Sequence, residues 1–309
     1  MLPYLGMVDL EKIAKLVRYY ILFSTTKAGS GHPTSSLSAT DLAVALFFEK
    51  LRFDITNPKN LTNDNVIFSK GHVSPLIYAL WTAAGVLSEK DLESYRKFGS
   101  KLQGHPLPDF EYVDVATGSL GQGLSVGVGM ALASKLDKIE NKTYVFMGDS
   151  EVAEGSVWEA MEIASFYKLN NLIGIIDVNR LGQSGQTMLG HDVDTYAKRA
   201  ETFGWEAYVV DGHDFSQIRD VLKSIDVGDK PKMIVAKTLK GKGISFIEDK
   251  EGWHGKALSG EDFEKAIEEL GVIDISVVGE IQKPEKVIEK KAILKVDIGD
   301  LAYKIGEEV

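Results

Sequence analysis

The chain has 309 residues, no cysteine, and 35 basic against 45 acidic side chains, a formal net charge of −10. That balance speaks against a general nucleic-acid partner, which needs a basic face, and the missing thiols exclude disulfides, a thiolate metal site and a cysteine nucleophile. Hydrophobic residues at 44% and charged residues at 26% are ordinary for a globular chain with a large core; with no signal-peptide layout and no apolar run long enough to span a bilayer, the expected setting is the cytoplasm, without a membrane partner.

Residues 8–28 read as an amphipathic helix, with Ile13, Leu16, Val17, Tyr20 and Ile21 on one stripe. It ends at the run from Gly29 to Pro33, and a second helix is expected from about Thr40 to Leu51. Asn65–Ser69 is a short strand candidate, followed by Lys70-Gly71-His72 and by a helix starting near Ser74-Pro75, since proline suits a first turn. Ser88 with Asp91 makes a capping-box pattern for another helix. After the proline-rich loop around His105, the glycines 118, 121 and 123 lead into a small-residue helix, Leu124–Leu136.

The stretch from Thr143 to Thr187 organises the rest. An apolar run, Tyr144–Met147, breaks at Gly148-Asp149-Ser150; Val157, Ala160, Met161, Ala164 and Tyr167 then recur at helical steps, and a second apolar run, Leu172–Val178, ends at Asn179. In such a strand–helix–strand unit both strands run the same way, so Asp149 and Asn179 emerge at one sheet edge. Their oxygens suit Mg²⁺ or Ca²⁺. Taken alone, a Gly-Asp pair after a strand fits an ordinary crossover whose acid caps a helix.

Further strands are expected at Ala207–Val210 and Met233–Ala236, and helices at Asp194–Phe203, Phe215–Ile225 and from Ser259 to a cap at Gly271. This alternation of short strands and helices predicts an α/β fold with a doubly wound parallel sheet flanked by helices. From Val272 the composition shifts: Pro284, the charge run Glu285–Lys291 and the β-type run Ala292–Ile298 read as a linker-like extension.

Four of the six histidines, His32, His72, His105 and His254, adjoin or follow glycine in predicted loops. One such residue is an ordinary loop group bonding backbone; four suggest a cleft lined by donors for hydroxyls and phosphates that move protons near neutral pH. No His-x-x-x-His or His/Glu pair has zinc spacing. His191 and His213 lie in polar loops and receive no role. The glycines at 118, 121 and 123 do not fit a dinucleotide fingerprint, and Lys240 and Lys242 at a strand end read either as a phosphate contact or as a solvated loop.

Gly148-Asp149-Ser150, Glu154-Gly155 and Asn179 resemble the thiamine diphosphate fingerprint, and the remaining motifs resemble the transketolase family in order. They are the runs 30–35 around His32, 69–72 ending in His72, 104–106 around His105, 114–123, 154–160, 179–184, 237–243 and 248–255 around His254. The resemblance covers roughly residues 10–258 and implies a thiamine diphosphate-binding fold over 1–271, with 272–309 as the extension. It implies that Asp149, Asn179 and the Leu181 carbonyl hold the divalent metal. Ser35, His72, Ser150, Lys240 and His254 would surround the diphosphate and thiazolium, Gly118, Ser119 and Leu120 the pyrimidine side, and His32, His105 and His254 would face the sugar. Glu154 matches a glutamate linking two active sites in the family dimer; otherwise it is a first-turn acid favoured by the helix dipole.

The family moves a two-carbon ketol unit from a ketose phosphate to an aldose phosphate. Complete members carry a second domain whose glutamate activates the cofactor ring, so the resemblance implies one half of a split enzyme. Its partners would be a C-terminal transketolase subunit, in an α₂β₂ assembly, and a second copy of itself. The alternatives are one chain of a related thiamine diphosphate ketolase or synthase, and a catalytically silent cofactor-binding scaffold. Ser150 departs from the usual family glycine.

Overall fold

The computed structural model describes residues 9–285. Five strands, β1 (Asn65–Phe68), β2 (Thr143–Gly148), β3 (Leu172–Val178), β4 (Glu206–Asp211) and β5 (Lys232–Lys237), form one all-parallel sheet in the order β1-β2-β3-β5-β4. The helices are α1 (Leu10–Ala28), α2 (Pro33–Ser38), α3 (Thr40–Ala45), α4 (Ser74–Ala83), α5 (Glu89–Leu92), α6 (Gln122–Asp137), α7 (Gly155–Phe166), α8 (Val193–Thr202), α9 (Phe215–Ser224) and α10 (Gly260–Leu270).

The register shows why the apolar runs become buried strands. Phe68, Phe146, Ile175, Ile234 and Tyr208 form one row across all five strands, packed with α1, α3, α4, α9 and α10. The next row, Ile67, Val145, Gly174, Met233 and Ala207, faces α6, α7 and α8. A Cβ on Gly174 would stand 2.7 Å from the Met233 methyl carbon, so glycine here makes room for methionine in the same row. The crossovers β2–β3 and β3–β4 run over the α7 and α8 face, while β1 reaches β2 through α4 and α5 and then through α6 on that face. The last, from β4 back to β5, reverses direction and uses the other face, as right-handed connections require. The sheet is doubly wound and parallel, as expected.

The helix caps follow the sequence signals. Asp9 accepts from the Lys12 N–H and Gly29 closes α1 at φ 60°; Ser88 and Asp91 complete their capping box; the Ser259 side chain accepts from Asp262. Three expectations differ. The helix expected over Thr40–Leu51 stops at Ala45 and widens into a π-turn, Leu46–Lys50, which leaves the consecutive residues Leu46, Phe47 and Phe48 all buried. A short helix not expected between the first two, α2, starts at Pro33, within the run expected to end the first helix. Tyr167, read as part of the α7 stripe, caps that helix and stays 46% exposed.

Past Gly271 the chain runs back along the body, with Gly279 N–H bonded to Ala83 O at 2.8 Å and Phe53 N–H to Gln282 O at 2.7 Å. Ala292–Ile298 and all but the first residue of the Glu285–Lys291 run lie outside the described residues. Among the described residues no helix is long and apolar enough to cross a membrane.

Candidate functional site

The carboxyl ends of β2, β3 and β5 deliver Asp149, Asn179 and Lys240 to one cleft of about 220 Å³. The same cleft is lined by His32, Ser35, Lys70, His72, His105, Gly118, Leu120, Ser150, Glu151, Leu181, Gln183 and His254. Loops scattered over most of the chain thus converge at the edge where open α/β sheets bind ligands. Ser119 and Glu154 are exposed and do not line it.

The floor is Asp177, within β3 and fully buried. Its carboxylate accepts from Lys70 Nζ, from the Thr238 hydroxyl, from Ser38 Oγ at 2.5 Å and from Asn179 Nδ2 at 3.1 Å. Burial alone would raise this carboxyl, but Lys70 and the hydroxyls outweigh it and hold it below the usual carboxylate range. One buried acid therefore orients the lysine that follows β1, the amide of Asn179 and the start of the Lys240 loop. Sequence reading missed it, because an acid inside an apolar run has no local partner to reveal it.

Asp149 is 4% exposed and its two oxygens accept from Ser150 N–H at 2.8 Å and Arg180 N–H at 2.6 Å. Burial, and then the charge of Asp177, push it up to about 6. Asn179 Oδ1 accepts from Leu181 N–H at 3.2 Å, so its amide is oriented from both ends. Among the described residues no group of three or more His, Cys, Asp or Glu side chains could hold a metal. Asp149 and Asn179 bring hard oxygens to the cleft, so few that a hard cation held there would complete its shell with phosphate oxygens and water. The Leu181 carbonyl, the third oxygen the sequence suggests, already accepts from Lys240 Nζ at 2.8 Å. A cation there would also favour the ionised form that burial opposes.

Lys240 is 3% exposed and donates from Nζ to Leu181 O at 2.8 Å, to Gly182 O at 3.0 Å and to His254 Nδ1 at 2.9 Å. Burial, then the charge of Lys70, pull it down to about 8. Its three partners are two carbonyls and an imidazole, so the cleft carries positive charge suited to an anionic group despite the acidic chain. Because Lys240 can only donate, His254 Nδ1 accepts, and its proton sits on Nε2.

Three imidazoles cluster beside it. His32 lies 5.0 Å from both His72 and His254, and His72 lies 5.4 Å from His254, ring centre to ring centre. Among the described residues His32 Nδ1 is buried without a partner, an acceptor or donor left for a ligand. Burial, then the neighbouring charges of His105, Arg96 and Lys240, pull His32 down to about 4; burial, then Lys240, His32 and Lys70, do the same to His254. His72 and His105 are pulled down as well, chiefly by burial.

The glycine loop closes the opposite wall. Gly118 adopts φ +147°, and a Cβ there would approach the His105 ring to 2.9 Å, so only glycine lets this backbone lie against the imidazole. Glu151, 1% exposed, ties the loop to the sheet: it accepts from the Ser69 hydroxyl, from Gly121 N–H at 2.9 Å and from Gly148 N–H at 3.0 Å. Sequence reading gave it no role. Ser150 sits at φ −71° and ψ −30°, a right-handed conformation that needs no glycine.

Known proteins carry the same pattern. The family model described as "Transketolase, thiamine diphosphate binding domain" matches residues 10–292. Human transketolase is 43% identical over 311 residues, covering 97% of this chain and 48% of that protein. One of the subunits of an apulose-4-phosphate transketolase from Phocaeicola vulgatus is 40% identical over 245 residues, covering 79% of this chain and 87% of that protein. The crystal structure of transketolase from Campylobacter jejuni superposes with a TM-score of 0.81 at 31% identity, over 97% of this chain and 48% of that one. A Pichia stipitis transketolase complex with sedoheptulose 7-phosphate gives 0.78 at 28% identity, over 97% and 44%. The chain spans about half the length of the transketolases it matches first. Fold, cleft and sequence together show that it belongs to the transketolase thiamine diphosphate-binding domain family.

Proposed function

We propose that this chain is the N-terminal, cofactor-binding subunit of a two-chain transketolase. The observation that carries the reading is a contrast in coverage: the match takes in 48% of human transketolase but 87% of a protein named as one part of a divided transketolase. In this reading Ser35, His72, Ser150, Lys240 and His254 hold the diphosphate and thiazolium, and Asp149, Asn179 and Leu181 O hold Mg²⁺ or Ca²⁺ against it. Gly118, Ser119 and Leu120 take the pyrimidine side. The bound cofactor supplies the nucleophilic carbon that carries the ketol unit.

His32, His105 and His254 face the sugar phosphate as neutral groups. His254 offers its Nε2 proton to a substrate oxygen, while His32 has a free Nδ1. Residues 1–271 form the cofactor domain and 272–309 a linker-like extension. Glu154, exposed at the start of α7, is the contact to a second active site, and the apolar Ile163, Phe166 and Tyr167, 45%, 78% and 46% exposed, suit burial by a further chain. The assembly is an α₂β₂ heterotetramer in the cytoplasm.

The test is ketol transfer from xylulose 5-phosphate to ribose 5-phosphate, run with this chain, with a C-terminal transketolase subunit, then with the two mixed. Only the mixture should turn over. Full activity from this chain alone overturns the split-enzyme reading. Silence of the mixture with thiamine diphosphate bound favours the scaffold. The likeness to a protein named for apulose 4-phosphate motivates a parallel assay with that ketose, whose sole acceptance would identify a related ketolase.

A further inference from the structure

His191 and His213 do not line the cleft, yet both reach the same point beside it. His191 Nε2 stands 2.9 Å from the Thr238 carbonyl oxygen, and His213 Nε2 stands 2.9 Å from the Leu239 backbone nitrogen. A carbonyl only accepts, so His191 donates; a backbone N–H only donates, so His213 accepts. That carbonyl and that N–H belong to one planar peptide unit, in which they point in opposite directions. The two imidazoles grip a single peptide plane from its two sides.

His213 is itself pinned. Its Nδ1 lies 2.8 Å from Asp41 Oδ2, and Asp41, 5% exposed, also pairs with Arg18 at 2.6 Å. A carboxylate accepting at Nδ1 requires the proton there, which leaves Nε2 as the acceptor Leu239 needs. On the upstream side Thr238 is held by the sheet, its N–H bonded to Val178 O at 3.0 Å and its hydroxyl to Asp177. The Thr238–Leu239 peptide is therefore the first past β5 without a ladder bond, and Lys240 follows directly. Losing either grip frees ψ of Thr238 and φ of Leu239. Changes in the two that do not cancel shift the Lys240 Cα, which is held on its far side by Asp249 N–H on Lys240 O at 2.7 Å, and draw Nζ away from Leu181 O and Gly182 O.

We propose that His191 and His213 are positioning residues that fix the Thr238–Leu239 peptide plane and so aim Lys240 Nζ at the cofactor's diphosphate. The inference rests on the reading of Lys240 as a diphosphate contact. Calorimetric titration of the full chain with thiamine diphosphate and Mg²⁺ tests it, with circular dichroism confirming the fold of each variant. His191→Phe and His213→Phe should each weaken binding by about tenfold, the scale of a lost buried hydrogen bond. His213→Gln, whose amide also offers one donor and one acceptor, should bind within about threefold of wild type. In a Lys240→Met background either phenylalanine should add less than about threefold, because the group it misplaces is gone. Full additivity in the double variants, or wild-type affinity in both phenylalanine variants while Lys240→Met is weakened, overturns the positioning role alone. Wild-type affinity in Lys240→Met removes the diphosphate assignment and the inference with it. Should His213→Phe not fold, the His191→Phe cycle decides.

Discussion

Lys70 donates from Nζ to Asp177 Oδ2 beneath the cleft, and the two side chains are only 2% and 0% exposed. Removing one member of so deep a pair strands the other charge away from water, at a cost of about 3–5 kcal/mol. Lys70→Met is therefore expected to lower the unfolding free energy by about that amount. Urea denaturation should show an earlier midpoint with an unchanged slope.

Asp149→Ala and Asn179→Ala should each abolish metal-dependent binding of thiamine diphosphate while leaving the fold intact, because both sit at a strand end and remove ligand oxygens rather than core. Calorimetric titration with thiamine diphosphate and Mg²⁺, on samples matched by circular dichroism, measures this. Unchanged affinity in either variant would remove that residue from the metal site.

Substituting His32 or His105 should impair turnover or sugar affinity far more than cofactor affinity, since both lie in Gly-His-Pro loops outside the Asp149–Asn179 motif. Loss of a general acid–base group costs about 10²–10⁴-fold in rate. Steady-state kinetics of the assembled two-chain enzyme is the measurement. Wild-type rates in both variants would make these histidines structural.

The imidazole cluster also predicts how stability depends on pH. His32 and His254 are pulled from an ordinary 6.5 down to about 4 in the folded chain. Between those values the unfolded chain binds more protons, so stability rises with pH there. The contribution is fully present above about pH 6.5 and is lost as pH falls toward 4. A His32→Gln/His254→Asn variant should show a shallower fall in melting temperature between pH 6.5 and 4.5. An identical pH profile in the two proteins would contradict the assignment.

Much of this site could be read in the sequence because a parallel strand–helix–strand unit fixes an edge without further information. Asp149 and Asn179 follow apolar runs, and the runs became β2 and β3. What stayed hidden depends on contacts between distant residues. Asp177 meets Lys70 across 107 positions, and His191 meets a backbone oxygen across 47. Neither distance leaves a local pattern. The six residues of α2 were too short to show a period, and no helix-stop residue marks the π-turn after Ala45, in which Leu46, Phe47 and Phe48 are all buried.

The strand order carries a consequence for how the chain is made. Among the described residues β4 pairs only with β5, so it leaves the ribosome with no strand to join. The Asp149–Asn179 edge can close once β3 is available, whereas Lys240 arrives only after the chain has travelled to the far margin and turned back to insert β5. Long-range parallel pairing of this kind is slow and exposes strand edges while it waits. The Asp149–Asn179 side of the cleft can thus exist before Lys240 arrives, and a nascent chain halted short of residue 232 would hold that half-site beside an unpaired strand.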